Sequence, residues 1–115
     1  MLREKQKIVH LLDELVQYAL QSHPTKVTIT IQELEDRVQI EIADEGARVD
    51  VEDCRQAQCL LDAPAYQELE DYYGGLAGEE SFGPCDLRIV RMLVDGGTIE
   101  PRADGMRMTV WWKPE

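Results

Sequence analysis

The stretch KVTITIQELEDRVQIEIADEG, residues 26–46, alternates apolar and polar side chains twice over. Val27, Ile29 and Ile31 fall to one side of the first run and Thr28 and Thr30 to the other; Val38, Ile40 and Ile42 repeat the pattern in RVQIEIA. A period of two places successive side chains on opposite faces of a strand. With the short polar link Glu33 to Asp36 between them, the two runs read as an antiparallel hairpin with one buried face. Upstream, Ile8, Leu11, Leu12, Leu15 and Ala19 form one stripe of a helix from about Arg3 to Gln21, ended by His23-Pro24-Thr25.

Downstream, Asp50 stands as N-cap with Asp53 three residues on, which predicts a helix to about Leu61. Pro64 starts a further short helical piece through Tyr73. Gly74 to Gly83, GGLAGEESFG, has loop composition, no periodicity and the character of a lid. Pro84 at a first helical position, Leu87, Val90 and Val94 on one face and Gly96 just past the end define a helix over 84–95. Gly97 to Arg102 and Met106 to Trp112 close the chain as a hairpin, with Asp104-Gly105 expected to supply a positive φ in the turn. The economical arrangement is an α+β fold, a two-layer sandwich of a mostly antiparallel sheet with its helices on one face.

The 115 residues allow one domain, and 43 % apolar with 30 % charged residues argues against disorder. No apolar run approaches the ~18 residues of a membrane helix, and the charged opening MLREKQKIVHLLDELV excludes a signal peptide, so a cytoplasmic protein is expected, with no membrane partner. The net charge of −11 is uneven: residues 1–32 sum to +1, 33–86 to −13 and 87–115 to +1. No Lys or Arg occurs from Asp62 to Asp86, so free nucleic acid is a poor partner; the run also reads simply as a solvated acidic surface. Cys54, Cys59 and Cys85 match no zinc or redox spacing and read as reduced thiols, while His10 and His23 add no metal geometry.

The chain resembles the ATP-binding domain shared by sensor histidine kinases, anti-sigma-factor serine kinases, type II topoisomerases and the heat-shock ninety chaperones, the Bergerat fold. Three boxes in the right order carry the resemblance over nearly the whole chain. HLLDELVQYAL (10–20) resembles the N box; IEIADEGARV (40–49) resembles the strand leading into the D-x-G-x-G box. SFGPCDLRIVRMLVDGGTIE (81–100) resembles the second glycine box, its helix and the following strand, and MRMTVWW has the pattern of the last strand.

The same resemblance implies a degenerate nucleotide site. The family's N box places an acid or amide and, four residues later, an Asn that holds Mg²⁺; Glu14 and Tyr18 occupy those seats. A phenol is no usual ligand for that hard cation. Glu14 is a candidate general base in principle, but without metal and phosphate contacts it reads rather as a vestige or a helix-surface acid. Asp44 matches the adenine-recognising carboxylate with Gly46 behind it, but Arg48 replaces the second glycine, and a turn residue at a strand end remains an equal reading of Asp44. Near Gly83, Pro84 removes an N–H donor and Asp86 sets a negative charge where phosphate would sit; ordinary helix-start chemistry accounts for both as well.

The expected function is therefore a nucleotide-independent relative of these domains, an interaction module in bacterial signalling that docks to a kinase, sigma factor or anti-sigma antagonist, with no cofactor. One alternative is a working ATP-binding domain or anti-sigma-type serine kinase, using ATP and magnesium. Because the chain begins almost at the N box, a self-sufficient histidine kinase is not expected. A further alternative is a homodimeric assembly protein: Trp111, Arg107 and Thr109 are expected on the uncovered face of the sheet, where Trp111 is either an interface anchor or a ring folded over by the chain itself.

Overall fold

The structure, a computed structural model, describes residues 4–62 and 87–114. Helix α1 (Lys5–Leu20) is followed by strands β1 (Lys26–Glu33) and β2 (Val38–Glu45), helices α2 (Val51–Asp62) and α3 (Leu87–Leu93), and strands β3 (Gly96–Arg102) and β4 (Gly105–Trp112). The expected helical piece at 64–73, the lid loop 74–83, Gly83, Pro84 and Asp86 lie outside the described residues. Among those described, no helix is long and apolar enough to cross a membrane.

All strand pairs are antiparallel, in the order β1-β2-β4-β3. Pairs such as Ile42 with Met108 and Ile40 with Val110 put the alternate residues of β2 and β4 on one face, where they are buried. Ile8, Leu11, Leu15 and Ala19 of α1, Cys54, Ala57 and Leu61 of α2, and Leu87 and Val90 of α3 complete the same core. The architecture is the α+β two-layer sandwich, helices on one side of an antiparallel sheet.

Local chemistry sets the helix ends. Asp50 Oδ1 accepts from the N–H of Glu52 at 2.9 Å and of Asp53 at 3.2 Å, capping α2 as its sequence predicts. His23 adopts φ 53°, a left-handed conformation that turns the chain out of α1 after its N–H donates to Leu20 O at 3.0 Å. At the other end of α1, the buried Trp112 donates its indole N–H to Glu4 Oε1 at 2.8 Å, and the Lys7 ammonium stands 5.1 Å from the ring centroid.

Three expectations are corrected. Ile29 is 43 % exposed, because β1 is an edge strand and the helices cover only part of its apolar side; Val27 and Ile31 are half-buried there. The described helix α3 ends at Leu93 instead of residue 95. Arg91 Nη1 donates to Val94 O at 2.8 Å, and Asp95 N–H already bonds to Trp111 O at 2.9 Å, so Gly96 is the first residue of β3. The β3–β4 turn contains no positive φ. Gly105 is needed there for close approach, since a Cβ would collide with the backbone and carboxylate of Asp44.

The two edges of the sheet are treated differently. Gln58 of α2 reaches β3 with its side-chain amide, Nε2 donating to Gly97 O at 3.0 Å while Oε1 accepts from Ile99 N–H at 2.7 Å. That amide imitates a neighbouring strand, and α2 covers this edge. Gln58→Ala is expected to lower stability by about 1–2 kcal/mol, because two ladder groups lose their partner in a half-buried place. Urea titration checks this; Cys59→Ala, next to it and exposed, should stay within about 0.5 kcal/mol of the unaltered chain.

Candidate functional site

Where the C-terminal end of β2 meets α1 and α2 there is a cavity of about 420 Å³. That is within the size range of small-molecule sites. Tyr18 and Ser22 from the end of α1, Asp44 from β2, Arg48 and Val49 from the segment that follows, Asp50, Asp53, Cys54 and Ala57 from α2, and Met106 from β4 are among the described residues that line it. The site is positioned by the sheet: alternation along β2 turns Asp44 to the helix side with Val38, Ile40 and Ile42.

Asp44 is 2 % exposed, the most deeply placed acid among the described residues. Its Oδ1 accepts from the backbone N–H of Met106 at 2.8 Å. Burial pushes the carboxyl pKa up from its ordinary value, and the Met106 hydrogen bond pulls it part of the way back. Asp44 thus does two things at once: it closes the end of the β2–β4 ladder and lines the cavity.

The family positions divide here between the cavity and its surroundings. Tyr18 and Asp44 share the cavity, whereas Glu14, one turn earlier on α1, is half-buried outside the lining. Gly46 is also outside the lining. It holds φ 78° at the bend after β2, its N–H donates to Asp104 O at 2.8 Å, and a Cβ would meet the Thr25 side chain. Its role in the described structure is to turn the chain so that Arg48 and Val49 can fold back over the cavity. Among the described residues no group of three or more His, Cys, Asp or Glu side chains could hold a metal ion.

Cys54 and Met106 enter the site without an individual signal in the sequence. Cys54 is buried, and its Sγ lies 3.6 Å from Met106 Sδ. Burial first, then the nearby charges of Asp53, Asp50 and Asp44, push its thiol pKa up, which keeps it protonated and unreactive. Cys54 and Cys59 are both free.

On the opposite face of the sheet, Trp111 is half-buried instead of exposed. It pairs across with Gly96, whose missing side chain makes room for the ring, since a Cβ would stand 2.8 Å from it. The Arg37 guanidinium covers the ring at 5.1 Å from its centroid. Arg107 Nε donates to Glu100 Oε1 at 3.0 Å, and Thr109 lies between Glu41 and Thr98 in the ladder.

The chain belongs to the family described as histidine kinase-, DNA gyrase B-, and HSP90-like ATPase, which it matches over residues 4–115. It is accordingly a histidine-kinase-like ATPase domain. No curated protein matches the chain.

The raised pKa of Asp44 has a definite sign. A buried acid that prefers its proton in the folded state adds stability below its unfolded pKa, near 3.8, and loses that contribution as pH rises through the folded value. Asn at this position can still accept from Met106 N–H and carries no charge. Asp44→Asn is therefore expected to be at least as stable as the unaltered chain at neutral pH, with the gap closing as pH falls toward 3.8. Asp44→Ala, which leaves the Met106 N–H unpaired, should cost about 1–3 kcal/mol. Denaturant midpoints across pH check both.

Proposed function

We propose that this domain has lost productive polyphosphate binding and serves as a protein-interaction module in bacterial signal transduction, docking to a kinase, a sigma factor or an anti-sigma antagonist. The observation that carries the reading is the charge of the cavity wall. Two carboxylates beside Asp44, those of Asp50 and Asp53, line it against the single guanidinium of Arg48 among the described residues.

A triphosphate beside such a wall is repelled. Each charge pair at about 10 Å is worth about 1 kcal/mol at an effective dielectric of 20–40. Several such pairs amount to a few kcal/mol, on the order of a thousandfold in affinity. A bridging magnesium ion would relieve this, but among the described residues no cluster fits one. Tyr18 lines the cavity where the family's amide ligand would be, and its phenol is a poor donor for a cation that takes carboxylate, amide and water oxygens. Without a metal and with phosphates disfavoured, Glu14 has no positioned nucleophile to activate.

The alternative, a working ATP site or an anti-sigma-type serine kinase, draws on Asp44, which stands in the cavity where an adenine-recognising acid belongs. Calorimetric titration with ATP, with and without Mg²⁺, separates the two. Heat indistinguishable from dilution is expected at submillimolar nucleotide. Submillimolar binding that requires magnesium would overturn the proposal and favour the alternative.

A further inference from the structure

The cavity between β2, α1 and α2 has a floor and a wall of different chemistry. At the floor Asp44 is buried, and the Met106 N–H on Oδ1 is its one hydrogen bond among the described residues, so Oδ2 takes none. A carboxylate so placed is short of both a donor and a counter-charge. Around it the lining is apolar: Val49, Ala57, Leu60, Leu87 and Met106 face the same space. Met106 and Cys54, whose sulfurs are 3.6 Å apart, both line it, and polarisable sulfur is a favourable neighbour for an aromatic ring.

The wall is negative. Asp50 and Asp53 stand on it, and Asp50 Oδ1 already accepts from the N–H groups of Glu52 and Asp53. The start of α2, where backbone donors would otherwise hold an anion, is thus taken by the chain's own carboxylate. Arg48 opposes these charges from an exposed position, where water screens it. A charge at the buried floor is screened less, so the field inside the cavity has the sign of Asp44.

Residues outside the described ones do not reverse that sign. No Lys or Arg occurs from Asp62 to Asp86, and the charges of 63–86 are Glu68, Glu70, Asp71, Glu79, Glu80 and Asp86. Arg3 precedes α1, whereas the cavity adjoins the far end of that helix, whose 16 residues span about 24 Å.

We propose that this cavity binds a small organic cation: an amidinium or guanidinium directed at the Asp44 carboxylate and carried on a flat aromatic body against Met106 and the apolar lining. Such a planar cation offers parallel N–H donors that match a carboxylate. Oδ2 gains a partner, and the buried charge gains its opposite. The inference rests on the reading that polyphosphate is excluded, and it makes the same wall selective for the other sign of charge.

Benzamidine is the probe, followed by amide NMR on the full chain. The signals of Cys54, Ala57 and Met106 should shift and saturate, with half-saturation at about 1 mM or tighter. Those of Thr30 and Trp111, outside the lining, should stay in place. Benzamide, of the same shape without the charge, should bind at least about tenfold more weakly, and Asp44→Asn should weaken benzamidine by a similar factor. Arg48→Ala, at an exposed position, removes the opposing charge and should tighten binding about two- to fivefold. That second variant decides the matter even where Asp44→Asn folds poorly. Absence of a saturable shift, equal binding of benzamide, a folded Asp44→Asn that binds as well as the unaltered chain, or weaker binding in Arg48→Ala would each overturn the proposal. A parallel titration with ATP and Mg²⁺ keeps the two readings apart. Silence toward both ligands removes the cation alone, whereas magnesium-dependent ATP binding overturns the underlying reading whatever benzamidine does.

Discussion

The hydrogen bond from Met106 N–H to the Asp44 carboxylate joins the fold to the site. The paired backbone of β2 and β4 is recorded as far as Ala43 with Arg107, and the next link is made by a side chain. Gly105 lies against the backbone of Asp44, and Gly46 N–H ties back to Asp104 O, so three short contacts lock the end of the first hairpin to the turn of the second. A carboxylate in that position is held by the sheet itself and not by loop packing. It enters the cavity at a fixed place whatever the surrounding segments do.

This arrangement also explains why Asp44 fits a structural reading and a ligand-binding reading equally well. Its hydrogen bond to the backbone would hold it in place with no ligand in the cavity, and its position at the cavity floor would serve a base that needs an acceptor. The charge of the neighbours, not Asp44, distinguishes the two uses. Asp50 is committed to capping α2 and Asp53 sits one turn along, so the acidic wall follows directly from how that helix begins. Local folding chemistry and the electrostatics of the site share the same residues.

Much of the architecture was legible because β2 and β4 alternate cleanly between a buried and an open face, and because Asp50 announces its helix by residue type. Other features depend on neighbours distant in sequence. Ile29 alternates as regularly as Ile40, yet its exposure is decided by where β1 falls in the strand order. Asp104-Gly105 carries the residues of a positive-φ turn, while the glycine is required by the approach of Asp44, about sixty positions earlier. Gln58 is an ordinary helix-surface residue until β3 is placed beside it. At the site, Tyr18 and Asp44 could be paired in advance only through the family resemblance, since no spacing rule relates them. Cys54 and Met106 meet through three-dimensional packing alone.

The Gln58 clamp has a bearing on how far any assembly could grow. One margin of the described sheet is stoppered by that amide, which blocks strand addition at β3. A strand arriving at β3 finds this acceptor and this donor already taken, so one glutamine guards that margin against polymerisation.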